Sequence, residues 1–152
     1  MMKHNKNRAL AAILGGKEYP NLRGTVTFNA LAEGVLVTAQ ITGLPVQNDC
    51  CGCGVYGFHI HNGGSCTGTE TNEFADADGH FNPRNCPHPY HAGDMPPLFG
   101  NHGMAYLSFL TDRFTLEEII GKAVIIHLEP DDFTTQPSGN SGTMIACGVI
   151  GR

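Results

Sequence analysis

A chain of 152 residues with no compositional break and no internal repeat can bury one sizeable core, and it predicts a single domain over residues 1–152. Apolar residues at 41%, charged residues at 15%, 20 glycines and no tryptophan exclude a disordered or fibrous chain and suit a turn-rich β protein. A net charge of −5 with no basic stripe excludes nucleic acid as a partner, and no apolar run approaches the roughly 18 residues of a membrane span.

Residues 1–8 are basic and 9–14 apolar, the outline of a secretory leader. The apolar part is short and no small-residue cleavage site follows, so 8–14 reads as a first strand. The expected compartment is the cytoplasm, with export as the alternative. Further β-rich segments bounded by glycine, proline or asparagine cover 24–28, 34–41, 55–61, 103–110, 123–128 and 144–150. Only 115–120 hints at a helical turn, and Glu117 and Glu118 within it read as solvated rather than as an acid–base couple. Seven or eight strands predict an all-β sandwich or flattened barrel of antiparallel strands. Residues 62–102 then form one long excursion, and so long a loop in a compact domain is usually functional. His102 reads as a solvent-facing turn residue and His4 as disordered.

Six of the eight histidines fall, with one aspartate, in four short segments. Residues 57–61 carry His59 and His61, 79–83 carry His80, 88–94 carry His88, His91 and Asp94, and 124–127 end on His127. His59 and His61 stand two apart in a strand-like run, so both side chains take one face and can grip one ion. His88, His91 and Asp94 recur every three residues through a proline- and glycine-rich stretch, which predicts a loop wrapped around an ion. Together they supply ligands for two adjacent metal ions.

In these runs the chain resembles the copper,zinc superoxide dismutase family over nearly its whole length. The matching text is Gly-Phe-His-Ile-His at 57–61, Gly-His-Phe-Asn-Pro at 79–83, His-Ala-Gly-Asp at 91–94, Asp131 with Asp132, Gly-Asn-Ser-Gly at 139–142, and 146–151. The resemblance implies a Greek-key β-barrel with long metal-binding loops. It implies copper on His59, His61, His80 and His127, zinc on His80, His88, His91 and Asp94, and His80 as the bridge. The ligand chemistry agrees independently: an all-imidazole set with an open position suits Cu(II), and three histidines with one carboxylate suit tetrahedral zinc. Asp131 matches the carboxylate that orients imidazoles of both sets, while Asp132 reads as solvated. The implied reaction disproportionates superoxide to oxygen and hydrogen peroxide, an antioxidant activity in which His80 also carries a proton to the product. The resemblance also implies a disulfide between Cys66 and Cys147, closing a loop of roughly 80 residues for a stabilisation of about 4 kcal/mol. A reducing cytosol would oppose that bond. Such families include monomers and homodimers.

Two departures stand out. The family places an arginine beside the open copper position to dock the anion, and here that position is Met144, next to Thr143 in the expected substrate channel. The stretch from His127 to Met144 has no lysine or arginine, so steering should weaken by roughly 10- to 100-fold. Lys122 and Arg113 are the cations that could compensate from nearby strands, though sequence does not place them. Secondly, Cys50, Cys51, Cys53 and Cys86 have no counterpart in the family pattern; Cu(I) binding, an extra bridge and inert thiols all stay open. The expected function is therefore superoxide dismutation with weakened steering. The alternative is a copper- and zinc-binding protein that takes copper from a donor and buffers or delivers it.

Overall fold

The computed structural model describes residues 5–152; residues 1–4 of the leader-like start, His4 among them, lie outside the described residues. Among the described residues nine strands form: β1 (Arg8–Gly15), β2 (Arg23–Leu31), β3 (Gly34–Thr42), β4 (Cys53–Tyr56), β5 (Phe58–His61), β6 (Leu98–Asn101), β7 (Ala105–Thr111), β8 (Ala123–His127) and β9 (Met144–Gly151). One helical turn, α1 (Leu116–Ile119), and a 3-10 turn at Ala75–Ala77 complete the elements. Period-two alternation drives the first strands. In β1 it buries Ala9, Ala11 and Ile13, and in β3 Val35, Val37, Ala39 and Ile41.

Seven strands make one antiparallel sheet in the order β5-β8-β9-β1-β2-β3-β7. Pairs of neighbouring strands that are not consecutive in sequence, β5 with β8, β9 with β1 and β3 with β7, give the Greek-key pattern. A ribbon of β4 and β6 runs into the two edge strands of that sheet, since β4 leads directly to β5 and β6 to β7. The result is the expected all-β barrel, with nine strands rather than seven or eight. Residues 55–61 are not one strand. The chain breaks at Gly57, whose N–H donates to the Glu129 carbonyl, so β4 and β5 join different sheets. β6 escaped the sequence pattern because four residues containing a glycine show no measurable alternation. The strand expected from 103 starts two residues later, because His102 and Gly103 take left-handed conformations (φ 50° and 79°) in the turn.

Burial separates two cores. The main one fills the barrel with Val26, Phe28, Val37, Phe58, Ile60, Val124, Ile126 and Ile150. A smaller cluster of Phe74, Ala77, Ala123, Ile125 and Cys147, with Cys66 and Met144 against it, lies under the long loop. β5 and β8 are buried on both faces because that loop covers their outer side. Among the described residues no helix is long and apolar enough to cross a membrane.

Candidate metal centre

The alternation of β5 sends Phe58 and Ile60 into the barrel and leaves His59 and His61 on the face under the loop. β8 pairs beside it, His59 opposite Ile125 and His61 opposite Ala123. A register shift between Ile126 and His127 sets His127 opposite Met144, and such a bulge re-aims a side chain at a strand end. The loop returns to the same face through main-chain bonds. Phe81 N–H donates to the Ile60 carbonyl at 2.8 Å, Asn62 N–H to Gly79 at 2.8 Å, and Ile60 N–H to Gly93 at 2.8 Å. These bonds deliver His80 and Asp94 to β5. Gly93 must be glycine, since a Cβ there would stand 2.2 Å from the Ile60 carbonyl oxygen.

The result is two groups of donors. His59, His61, His80 and His127 form one, and His80, His88, His91 and Asp94 the other, with the donor atoms of each group within 4.8 Å of one another. His80 belongs to both. The structure thus brings together every histidine and the aspartate expected to bind metal; His102 stands apart, exposed.

Hydrogen bonds to acceptor-only groups fix the tautomers. Asp131 accepts from His59 Nε2 and His88 Nε2, each at 2.8 Å, so both rings carry their proton outward and turn a bare Nδ1 inward. His61 Nδ1 donates to the Asp78 carbonyl at 2.6 Å and His127 Nδ1 to Gly142 at 3.1 Å, leaving each Nε2 bare. Those two Nε2 atoms then face each other at 3.2 Å. Bare His88 Nδ1 lies 3.1 Å from Asp94 Oδ2. Each contact sets lone pair against lone pair and is repulsive unless a cation lies between. His59 Nδ1, His80 Nε2 and His88 Nδ1 are buried without a hydrogen-bond partner, a costly state that a metal relieves. The residues present fit the two metals of the expected centre.

Electrostatics holds the ligands in their binding forms. Burial disfavours imidazolium and lowers His59 to about 4, against the opposing pull of Asp131. His127 falls to about 3, first through burial and then through His59, and burial followed by His127 and His80 takes His61 well below its usual value. Burial also lowers His91. Burial pushes Asp94 up, but the His80 hydrogen bond and the charges of His80, His88 and His91 bring it lower on balance. Asp131 likewise overcomes burial through His59, His88 and the Phe133 N–H, and stays well below the usual carboxylate range. Neutral imidazoles and ionised carboxylates are what a metal requires.

Several supports carry no chemical signature in the sequence. Gln136 clasps the His88 backbone, accepting its N–H at 2.8 Å and donating to its carbonyl at 2.7 Å. Gly139 (φ 72°) lies against the Asp131–His88 bond, where a Cβ would stand 2.0 Å from Asp131 Oδ1. Asp132 is exposed as expected, yet hydrogen bonds from Thr135 and Thr134 lower it to about 2 and fix the turn after Asp131.

An open cavity of about 620 Å³ reaches the first group, lined by His61, His80, His127, Thr143 and Met144 among others, and among the described residues no lysine or arginine lines it. Lys122 and Arg113, the cations that could compensate, do not line it. Lys122 lies 3.1 Å from Asn62 Oδ1 and over the Phe81 ring, and Arg113 is on the far side of the loop. Cys66 and Cys147 form the expected disulfide, Cα atoms 5.7 Å apart. Cys50, Cys51 and Cys53 are exposed and Cys86 is half-buried, none of them bonded to another cysteine.

The profile of the family described as copper/zinc superoxide dismutase (SODC) matches residues 22–150. The chain is 36% identical over 135 residues to the Cu-Zn superoxide dismutase of Legionella pneumophila, covering 84% of this chain and 76% of that protein. It is 37% identical over 133 residues to Cu-Zn superoxide dismutase 2 of Aquifex aeolicus, covering 78% and 72%. Among solved structures it resembles the Cu/Zn superoxide dismutase from Brucella abortus, with a TM-score of 0.78, 25% identity, and 93% of this chain and 98% of that one covered. With barrel, donor sets and disulfide in place, this chain belongs to the copper/zinc superoxide dismutase family, whose cofactors are copper and zinc.

Proposed function

We propose that this chain, a single domain, disproportionates superoxide to oxygen and hydrogen peroxide at a copper–zinc pair. His59, His61, His80 and His127 hold copper, and His80, His88, His91 and Asp94 hold zinc. The observation that carries this reading is the shared His80, with a buried, partnerless Nε2 in one set and Nδ1 2.8 Å from Asp94 in the other. When bound, copper supplies reversible one-electron chemistry, and zinc supplies fixed charge and geometry. The residues do the rest. His80 lines the cavity, and its Nε2 can hold a proton and pass it to departing peroxide. Asp131 orients His59 and His88, one from each set. Thr143 and Met144 border the channel, where the missing cation leaves superoxide unsteered and slows capture.

The disulfide favours the exported alternative for the compartment, since a glutathione-buffered cytosol reduces such bonds. A second reading is favoured by the free, exposed Cys50, Cys51 and Cys53: copper accepted from a donor and buffered or delivered without turnover.

Elemental analysis joined to superoxide-decay kinetics separates the two. Native protein should bind copper and zinc in equal amounts and accelerate decay, and His61→Ala should lose copper and activity together. Full copper loading with no acceleration would leave the binding reading.

A further inference from the structure

Arg113 lies outside both donor sets, in the connection between β7 and α1, yet its Nη1 is 2.9 Å from the Pro89 carbonyl and 3.4 Å from those of His91 and Asp94. Nη1 carries two protons, so the nearest carbonyl takes one and the other two share the second. All three carbonyls belong to the stretch that presents His88, His91 and Asp94. The same corner is gripped from earlier in the loop, where Arg84 Nη1 donates to the Arg113 carbonyl at 3.3 Å. Among the described residues no carboxylate lies within ion-pair distance of Arg113, so its guanidinium serves these carbonyls alone.

We propose that Arg113 is a positioning residue for the zinc set. This rests on the assignment of His80, His88, His91 and Asp94 to zinc. Three carbonyl dipoles aimed at one point repel each other unless a cation receives them. By receiving them, Arg113 fixes the peptide planes following Pro89, His91 and Asp94, and so the directions in which the two ligand side chains leave the backbone. Within this stretch Tyr90 N–H to Pro87 and Asp94 N–H to His91 are local turns, while Gln136 clasps the His88 backbone at its start and Gly93 N–H donates to the Phe81 carbonyl. Gly93 ties the stretch to β5 and Gln136 holds it at His88, and Arg113 adds a further tie beyond Pro89 from the connection after β7, the strand at the other edge of the sheet. Without it, ordering the loop would fall on zinc binding and weaken it.

The test uses the full chain with Arg113→Met, which keeps the stem and removes the donors, and Arg113→Lys, which returns a cationic nitrogen. Zinc affinity is read by chelator competition, site geometry by the visible absorption of the cobalt(II)-substituted zinc set, and fold by thermal unfolding of metal-free protein. We expect Arg113→Met to weaken zinc by about 10-fold, the low end for a supporting partner because the residue is exposed, and to alter the cobalt spectrum. Arg113→Lys should recover most of that loss, with copper affinity and metal-free unfolding nearly unchanged in both. Native-like zinc affinity and cobalt spectrum in Arg113→Met would overturn the positioning role alone. Zinc affinity that falls only in step with metal-free stability, with no spectral change, would also overturn it. Zinc uptake unaffected by His91→Ala would overturn the zinc assignment itself, and the role of Arg113 with it.

Discussion

Asp131 sets the tautomer of two imidazoles with one carboxylate, and its own charge is held by three donors, His59, His88 and the Phe133 N–H. Phe133 takes a left-handed conformation (φ 62°), unusual for a bulky residue, and in that conformation its N–H reaches Asp131. Asp131→Asn offers an amide in place of two charge-assisted acceptors, so we expect metal affinity at both sets to fall by about 10- to 100-fold, measured by chelator competition. A loss at one set only would mean that the two hydrogen bonds are not equivalent supports. Met144 lies on the cavity wall, where among the described residues no lysine or arginine stands. Met144→Arg should raise the second-order rate with superoxide by about 10- to 100-fold at low ionic strength, and the gain should shrink with added salt. An unchanged rate would remove steering as the explanation of Met144. At this scale the sequence was legible where chemistry marks a residue: the histidines and Asp94 announced themselves by type and spacing. Gln136 and Gly139 did not, because a clasping amide and a close approach leave no chemical signature until the backbone brings them to His88.

β5 and β8 each serve two environments. Ile60, Val124 and Ile126 fill the barrel, while His59, His61, Ile125 and His127 face the loop; period two sorts them, with the bulge before His127 setting that residue's aim. This sorting was readable in advance for His59 and His61, since a strand places i and i+2 together. The bulge before His127 and the break at Gly57 were not, because both depend on partners far away in sequence. Ile126→Ala should therefore cost about 2–5 kcal/mol of stability, as a buried cavity does, and leave the metal affinity of the folded protein unchanged. Denaturant unfolding of metal-free protein together with metal titration reads both; an equal loss of affinity would mean that β8 does not separate core from site.

Across the whole molecule, the barrel supports one wall of the centre and the long loop the other, and the Cys66–Cys147 bond joins them beside Ile125. The location of that bond was legible through the family pattern, whereas the smaller core around it was not, since Phe74 and Ala77 lie in a loop without periodicity. Burial of neutral imidazoles makes the metal-free fold acid-sensitive. His59 and His127 titrate at about 4 and about 3 in the fold, against 6.5 for the ordinary side chain. As pH falls through 6.5 the unfolded chain takes up protons first, so stability is full above that value and declines until the folded groups also protonate. Asp94 and Asp131, both lowered, extend the loss below the ordinary carboxylate value. Thermal unfolding of metal-free protein should show Tm dropping through that window, and a flat Tm would contradict buried neutral histidines. The most direct test of the proposed activity is the rate of superoxide decay measured against bound copper over a loading series with zinc kept saturating. We expect the rate to rise in proportion to copper in the His80-bridged set; protein fully loaded with copper that leaves superoxide decay at its spontaneous rate would contradict it.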